Sequence, residues 1–412
     1  MADLPDTHAI DESLALLHDG YAYGARRFRE LDADAYRTRL LGRPTVVMHG
    51  REASEVFYDG ERMSRAGAIP PPIMHLLQDE GSVQSLEGAA HHHRKAVFLR
   101  MLDEDGSSGL GSDFADAWAI ARRTLSGRTL SLYDVGTRVL TRAALTWTGV
   151  PSDGVDIDRL AGRLAAMVDD APRLGPVNWA ARLRRRRVER WATDLIARQR
   201  SGPAPAPADT PLGVLASARD VDGALLSPEV AAVELINLLR PIVAIARYLA
   251  FSAHALERHP DWRERLRADA RARHAFAQEV RRWYPFFPAI VGTVARPFAW
   301  HGHDFRAGER AMLDLYATNH DPREWREPER FDPSRFLGEP ADPNALVPQG
   351  GGDAATGHRC PGEGATLAVM ETFLELAAAD PPPYDVPAQD ARISLRKLPA
   401  LPVDRMRVTF RA

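Results

Sequence analysis

The segment that decides the fold lies near the C-terminus and reads Pro348-Gln-Gly-Gly-Gly-Asp-Ala-Ala-Thr-Gly-His-Arg-Cys-Pro-Gly-Glu-Gly-Ala-Thr-Leu367. It joins a glycine-rich loop to Cys360 and then to the start of a predicted helix. Backbone N–H groups and the positive end of a helix both favour a thiolate over a thiol. We expect the glycines to let the backbone approach a flat ligand closely. The alternatives for Cys360 are a small buried hydrophobe and a protease-like nucleophile, and no His/Asn signature accompanies the latter.

The composition is that of a globular protein. The chain has 412 residues, of which 45% are hydrophobic and 26% are charged. The single cysteine excludes intrachain disulfides and zinc sites built on several thiolates. A formal net charge of −3 predicts no strong global field that would recruit nucleic acid or anionic lipid. We find no run of 18 apolar residues that predicts a membrane span and no signal peptide, so we expect a cytoplasmic protein.

Hydrophobic periodicity predicts a mainly α protein with a small β part. Spacing near 3.6 residues predicts helices over 85–103, 113–125, 155–172, 178–200, 228–258, 261–284 and 363–378. Strand patterns cover 36–41, 45–48, 294–300, 311–315 and 403–410. Within the helix predicted over 178–200, Arg182 and 184–187 form a basic run, which is either a solvated face or a surface for a partner.

The predicted helix 228–258 is apolar almost all round and should therefore be buried. Arg240 places a charge inside it, which is costly unless an anion meets it. Pro241 removes a helical hydrogen bond and should loosen the helix there. Two interpretations follow for Arg240: a salt bridge to Glu234 or a distant acid, or a binding site for a carboxylate opened at the kink.

Three elements, in this order and spacing, resemble the cytochrome P-450 (haem-thiolate) superfamily. Glu279 and Arg282 are similar to its structural Glu-x-x-Arg pair, and 330–336 is similar to the segment that this pair contacts. Cys360 matches the axial iron ligand. The resemblance implies a cytochrome P-450 fold, one haem-thiolate domain over 1–412, and haem b as the cofactor.

Two departures from the common pattern bear on function. Asp353 stands where a phenylalanine is usual, seven residues before the cysteine. No Asp, Glu, Ser or Thr lies between Asn237 and Ser252, so the acid–alcohol pair that ordinary members use to deliver protons is missing. An oxygen-activating monooxygenase is therefore disfavoured.

Both departures resemble one branch, the bacterial fatty-acid peroxygenases. The resemblance rests on Leu-Leu-Arg-Pro-Ile-Val-Ala-Ile-Ala-Arg at 238–247, Leu-Asp-Leu-Tyr-Ala-Thr-Asn-His-Asp-Pro at 313–322 and the Pro-Gln-Gly-Gly-Gly run at 348–352. It implies that Arg240, followed by Pro241, binds the fatty-acid carboxylate over the iron. Hydrogen peroxide then replaces oxygen and the redox partner. A carboxylate held by Arg240 can serve as the general acid–base for hydroxylation at the α and/or β carbon.

The resemblance also implies residues around the haem carboxylates. His91 and Lys95, at i and i+4, occupy positions where the superfamily places propionate ligands, with solvated surface side chains as the alternative. His358, two residues before the cysteine, is a similar candidate.

Gln84, Phe286 and Phe287 are the remaining candidates for the substrate side. The branch places glutamine or histidine beside the haem at the position of Gln84, and the aromatic run that ends in Phe286 and Phe287 should shape the pocket. The rival functions are a fatty-acid decarboxylase that gives terminal alkenes, an ordinary reductase-dependent monooxygenase, and a non-catalytic haem or lipid carrier.

Overall fold

The computed structural model describes residues 4–79, 81–202 and 205–411. The helices of these residues are α1 Ser13–Asp19, α2 Ala22–Leu31, α3 Arg51–Tyr58, α4 Pro71–Leu77, α5 Gly88–Met101, α6 Glu104–Thr124, α7 Leu132–Thr148, α8 Ile157–Asp169, α9 Pro176–Ser201, α10 Pro211–Ser217, α11 Pro228–Ala244, α12 Ala246–Arg258, α13 Arg263–Ala268, α14 Ala270–Trp283, α15 Leu315–Asn319 and α16 Glu363–Ala377. The strands are β1 Ala35–Leu40, β2 Arg43–Met48, β3 Met63–Ser64, β4 Thr129–Ser131, β5 Ala289–Val294, β6 Phe298–Trp300, β7 His303–Phe305, β8 Arg310–Asp314, β9 Tyr384–Asp385 and β10 Arg407–Phe410. The predicted mainly α architecture with a small β part is confirmed.

Several predicted boundaries are wrong for local reasons. The strand predicted over 294–300 is two strands, because β5 ends at Val294 and β6 begins at Phe298. The helix predicted over 113–125 begins at Glu104, where the Asp103 side chain accepts the N–H of Gly106. Its first turns contain three glycines, which lower the helix propensity, so the sequence did not indicate this start.

The predicted single helix 228–258 is divided into α11 and α12 at Ile245. Ser227 caps its start by accepting the N–H of Val230 at 3.2 Å. One turn after Pro241, the N–H of Ile245 donates to the carbonyl of Ile242 at 3.1 Å, an i→i−3 bond that interrupts the α-helical series. The proline was predicted to loosen the helix at its own position, and the interruption lies one turn later. In the same way, the helix predicted over 261–284 is divided into α13 and α14.

The β part forms a five-stranded sheet in the order β1-β2-β8-β5-β3, a three-stranded sheet β4-β10-β9 and the hairpin β6-β7. Strand β2 runs parallel to β8, and β5 is antiparallel to it. The main hydrophobic core lies among the helices, and a smaller core lies against the five-stranded sheet. This arrangement buries α11 and α12 and places α5 and the loop before α16 at the edge of the helical core.

Candidate functional site

Cys360 is held in the loop that precedes α16. Its N–H donates to the carbonyl of Gln349 at 3.1 Å, and the Gln349 Nε2 lies 3.7 Å from the Cys360 Sγ and donates to Thr366 Oγ1 at 3.1 Å. Burial raises the pKa of the Cys360 thiol, while hydrogen bonds from Gly362 and Gln349 lower it. Hydrogen bonds to the sulfur are thus present, and burial outweighs them in setting the direction of the pKa shift.

The glycines of this loop pack against α3. A Cβ added at Gly350 would lie 2.9 Å from the Tyr58 hydroxyl, and one at Gly351 would lie 2.4 Å from Ser54 Oγ. Gly352 has a φ of +73° and also faces Tyr58. The lack of side chains at these glycines allows α3 to pack closely against the loop, and the approach of a flat ligand to the loop stays a prediction.

The predicted Glu279–Arg282 pair forms and is fully buried. Arg282 donates from Nε and NH2 to the two carboxylate oxygens of Glu279 at 2.6 and 2.7 Å. Glu279 also accepts the N–H of Asp332 at 2.7 Å, and the Arg335 Nε lies 3.7 Å from it. This bidentate pair joins α14 to the predicted partner segment below the cysteine loop.

The three predicted propionate candidates lie together beside the cysteine loop. The His91 ring stacks on the His358 ring with centroids 4.1 Å apart, and the His358 Nε2 lies 3.6 Å from Glu87 Oε2. The Lys95 Nζ donates to the carbonyl of Arg359 at 2.8 Å. Burial, with the charge of His358 second, lowers the pKa of His91 to about 3, so this ring is neutral at physiological pH.

Arg65 is a residue that sequence reasoning missed. Its side chain is buried, lies over the Phe57 ring at 4.0 Å, and reaches the Phe57 carbonyl at 3.4 Å. Among the described residues it forms no side-chain ion pair, and it is close enough to His358 to lower the pKa of that histidine, though burial lowers it more. No local sequence pattern distinguishes Arg65 from the other arginines of the chain, which has 51 in all.

Together these groups fit a haem. A half-buried cysteine sulfur, a buried guanidinium that pairs with no acid among the described residues, and two stacked imidazoles suit a flat iron complex whose carboxylates lie at one edge.

Arg240 is a buried cation without a partner. It is 5% exposed, its NH1 makes no hydrogen bond, and no described residue forms an ion pair with it. Burial, with the charge of Arg185 second, lowers its pKa to about 9. Glu234 pairs instead with Arg94 at 2.9 Å, so the predicted alternative of a Glu234 salt bridge is wrong. Pro241, the next residue on α11, is exposed although its neighbours are buried, so the surface of the helix is accessible at this turn.

Gln84 is tied to the helix that carries Arg240. It lies in the short 3-10 turn Val83–Ser85, and its Oε1 accepts the Asn237 side-chain amide at 3.2 Å. Asn237 lies one turn before Arg240 on α11. The structure therefore brings together two predicted site residues that are about 150 positions apart in the chain.

Phe286 and Phe287 differ in their surroundings. Phe286 is buried and meets the Tyr248 ring edge-to-face at 5.1 Å, whereas Phe287 is 39% exposed. The two rings lie 4.5 Å apart, so they form one aromatic wall that reaches from the core to an accessible surface.

Comparison with known proteins agrees with this geometry. The family model for cytochrome P450 matches residues 258–379. "Putative cytochrome P450 137" of Mycobacterium tuberculosis is 30% identical over 247 residues, which cover 58% of this chain and 51% of that protein. The chain thus matches about half the length of that curated relative.

Two solved structures match over nearly the whole chain. Cytochrome P450EX alpha (CYP152N1), determined with myristic acid, is 36% identical, with 99% of each chain covered and a TM-score of 0.95. A variant of cytochrome P450 OleT in complex with arachidonic acid is 31% identical, with 99% of this chain and 98% of that chain covered and a TM-score of 0.95. The chain belongs to the cytochrome P450 family, within the CYP152 branch of fatty-acid peroxygenases.

Membership implies a haem iron as the cofactor. A search of the described residues for a helix long and apolar enough to cross a membrane found none.

Proposed function

We propose that this protein is a hydrogen-peroxide-dependent fatty-acid hydroxylase, formed by one domain over 1–412, that acts in the cytoplasm without a redox partner. The observation that carries the proposal is Arg240: a buried guanidinium that pairs with no acid among the described residues, beside the exposed Pro241, on a helix without an acid–alcohol pair. The fatty acids bound to the two solved relatives support a carboxylate as the missing anion.

Cys360 would hold the iron of haem b through its sulfur, and Arg65, His91, Lys95 and His358 would contact the carboxylates of the haem. The bound haem supplies the oxidising chemistry, and a thiolate ligand favours cleavage of the peroxide O–O bond. Gln349 positions Cys360, because its backbone carbonyl accepts the Cys360 N–H and its side-chain amide approaches the sulfur.

Arg240 supplies the acid–base chemistry indirectly. Its guanidinium holds the substrate carboxylate by charge-assisted hydrogen bonds. A carboxylate oxygen accepts the first proton of hydrogen peroxide and returns it to the departing oxygen, which leaves as water. The other peroxide oxygen enters the substrate as a hydroxyl group, so one fatty acid and one peroxide give one hydroxy acid and one water.

Anchoring the carboxyl end also determines where oxidation occurs. A substrate held at Arg240 presents its α and β carbons nearest to the iron, whereas the chain terminus extends away along the aromatic wall of Phe286 and Phe287. Gln84 and Pro241 flank the anchored end. Hydroxylation is therefore expected at the α and/or β carbon.

The test is turnover of purified holoprotein with hydrogen peroxide and saturated fatty acids of increasing length. We expect 2- and 3-hydroxy acids with the free acids and no products with the matching methyl esters, which cannot act as the acid–base group. A second arm supplies a ferredoxin, its reductase and NADPH without peroxide. Turnover only in that arm, or equal turnover of esters, would contradict the proposal.

A further inference from the structure

The outer face of α9 exposes large apolar side chains. Trp179 is 61% exposed and Leu183 is 57% exposed, and their i, i+4 spacing places them on one side of the helix. Leu174 and Val177, at the start of the helix, are also exposed. Scattered exposed leucines are ordinary, but here four large apolar residues are exposed within ten positions, two of them on one side of the helix.

Helix α9 as a whole is strongly basic, and part of this charge lies on the outer face. Helix α9 holds eight arginines against two acidic residues, a net charge of +6 on a chain whose net charge is −3. Arg186 and Arg187 are exposed, follow Leu183 directly on the outer side, and form no ion pair with any described residue. This is the basic run whose role the sequence left open between a solvated face and a partner surface.

The inner face of α9 lies next to the Arg240 site. Helix α9 packs against α11. Arg185 points inward and donates to the carbonyls of Leu76 and Gln78, both at 2.9 Å, and its charge reaches Arg240. One helix therefore presents an apolar and basic surface outward and covers the carboxylate site inward.

We propose that the outer face of α9, from Leu174 to Arg187, is a docking surface for an anionic lipid bilayer. Tryptophan and leucine side chains insert at the boundary between headgroups and acyl chains, and arginines between them pair with anionic headgroups. An acidic protein with an apolar patch is the alternative occupant, and the comparison of anionic with neutral vesicles below distinguishes the two. The further role of the surface, delivery of membrane-dissolved fatty acid to the site beneath it, rests on the proposed function.

The test is co-sedimentation of the holoenzyme with vesicles at 0.1 M salt. Vesicles of equal phosphatidylcholine and phosphatidylglycerol should bind it, and vesicles of phosphatidylcholine alone should not. Each arginine near an anionic surface contributes about a factor of five, so R186Q/R187Q should weaken binding roughly 30-fold. W179S/L183S should also weaken it, because the apolar insertion is lost.

The matched control is R122Q/R123Q, which removes the same charge from two exposed arginines in the last turn of α6. The control should bind the anionic vesicles as the wild type does. Equal losses in both pairs, equal binding to neutral vesicles, or no binding to either composition would overturn the proposal; the last result would favour an acidic protein.

Peroxide-driven turnover of a short, freely dissolved fatty acid separates this inference from the proposed function. All the variants should retain wild-type turnover, because none of their residues contacts the substrate. A protein that binds anionic vesicles but shows no turnover would refute the function and leave the docking surface standing. A protein that turns over substrate but does not bind the vesicles would refute the docking surface and leave the proposed function standing.

Discussion

At the scale of single residues, the burial of Arg240 without an ion-pair partner favours the binding of an anion and lowers the stability of the fold. A buried guanidinium without a partner destabilises the native state, because desolvation is not offset by an ion pair. Its neighbour on the next helix, Arg247, is also buried but donates to Asp169 at 2.5 Å and to the Ala400 carbonyl at 2.7 Å. Substitution of these two arginines should therefore change the stability of the protein in opposite directions.

Arg240→Met should weaken fatty-acid binding by roughly 10- to 150-fold, equivalent to about 1.5–3 kcal/mol for a charge-assisted contact. The melting temperature should stay the same or rise, because an unpaired buried charge is removed. Arg247→Met, the control, should lower the melting temperature. Substrate titration and thermal unfolding of the holoproteins measure both effects, and unchanged affinity in Arg240→Met would remove the anchor from the mechanism.

Gln84→His should raise the ratio of terminal alkene to hydroxy acid without abolishing turnover. Imidazole titrates near neutral pH and can donate a proton near the α and β carbons, whereas a neutral amide cannot. The wild-type glutamine is expected to give mainly hydroxy acids. Product ratios by gas chromatography test this, and a wild type that yields mostly alkene would make decarboxylation the principal activity.

At the scale of elements, the pair Arg94–Glu234 joins α5 to α11 and thereby positions Gln84. The Arg94 NH1 lies 2.9 Å from Glu234 Oε1, which also accepts the N–H of Val83 at 2.9 Å. Both side chains are fully buried, and burial raises the pKa of Glu234. The carboxylate thus depends on Arg94 to remain ionised.

Arg94→Met should destabilise the protein by about 3–5 kcal/mol, because it leaves a buried carboxylate unpaired. The native state of this variant prefers the protonated carboxyl, so the loss should be larger at pH 8 than at pH 5. The double variant Arg94→Met/Glu234→Gln should recover part of the loss. Urea unfolding of the two single variants and the double variant gives the free energies of this double-mutant cycle. Strictly additive losses of stability would show that the two side chains are not coupled.

Asp314 connects strand β8 to helix α15 and makes stability depend on pH. Its side chain accepts the N–H of Ala317 at 2.8 Å, and burial raises its pKa to about 6. The native state therefore binds the proton more tightly than the unfolded chain, so stability falls as the pH rises from about 4 to about 6 and stays lower above that.

Asp314→Asn keeps the cap acceptor but cannot ionise. It should be more stable than the wild type by up to about 3 kcal/mol at pH 8, and by only about 1 kcal/mol at pH 4.5. Urea unfolding at the two pH values checks the sign. A substitution that destabilises at pH 8 would show that the charged carboxylate is needed.

At the scale of the whole molecule, the proposed haem contacts come from segments that meet only in the folded chain. Arg65 follows β3, His91 and Lys95 lie on α5, and His358 and Cys360 precede α16. Cys360 is the single cysteine of the sequence, so the proposed thiolate ligand of the haem depends on this one residue.

Cys360→Ala should lose the red-shifted Soret band of the ferrous–CO complex and all peroxide-driven turnover. The far-UV circular dichroism should stay helical, because the Glu279–Arg282 pair and the main core do not involve Cys360. The melting temperature should fall, since a tightly bound group stabilises the fold that holds it. A variant that keeps the red-shifted band would refute the proposed ligand.

The sequence by itself determined the features that depend on local spacing. The loop around Cys360, the i, i+3 pair Glu279–Arg282 and a charged residue on an apolar helix are all visible in short segments, because neighbours in sequence set them. The prediction of Arg240 as a carboxylate anchor began from that local anomaly. The interruption of the helix was predicted, but its position was not.

Tertiary structure decided which charges have partners. Arg94 lies 140 positions from Glu234, and its pairing with that acid is what leaves Arg240 alone. Arg65 and the stack of His91 on His358 became visible only when distant segments packed together. The physical reason is that a buried ion pair depends on distances of 3–4 Å between side chains, and sequence separation carries no information about those distances.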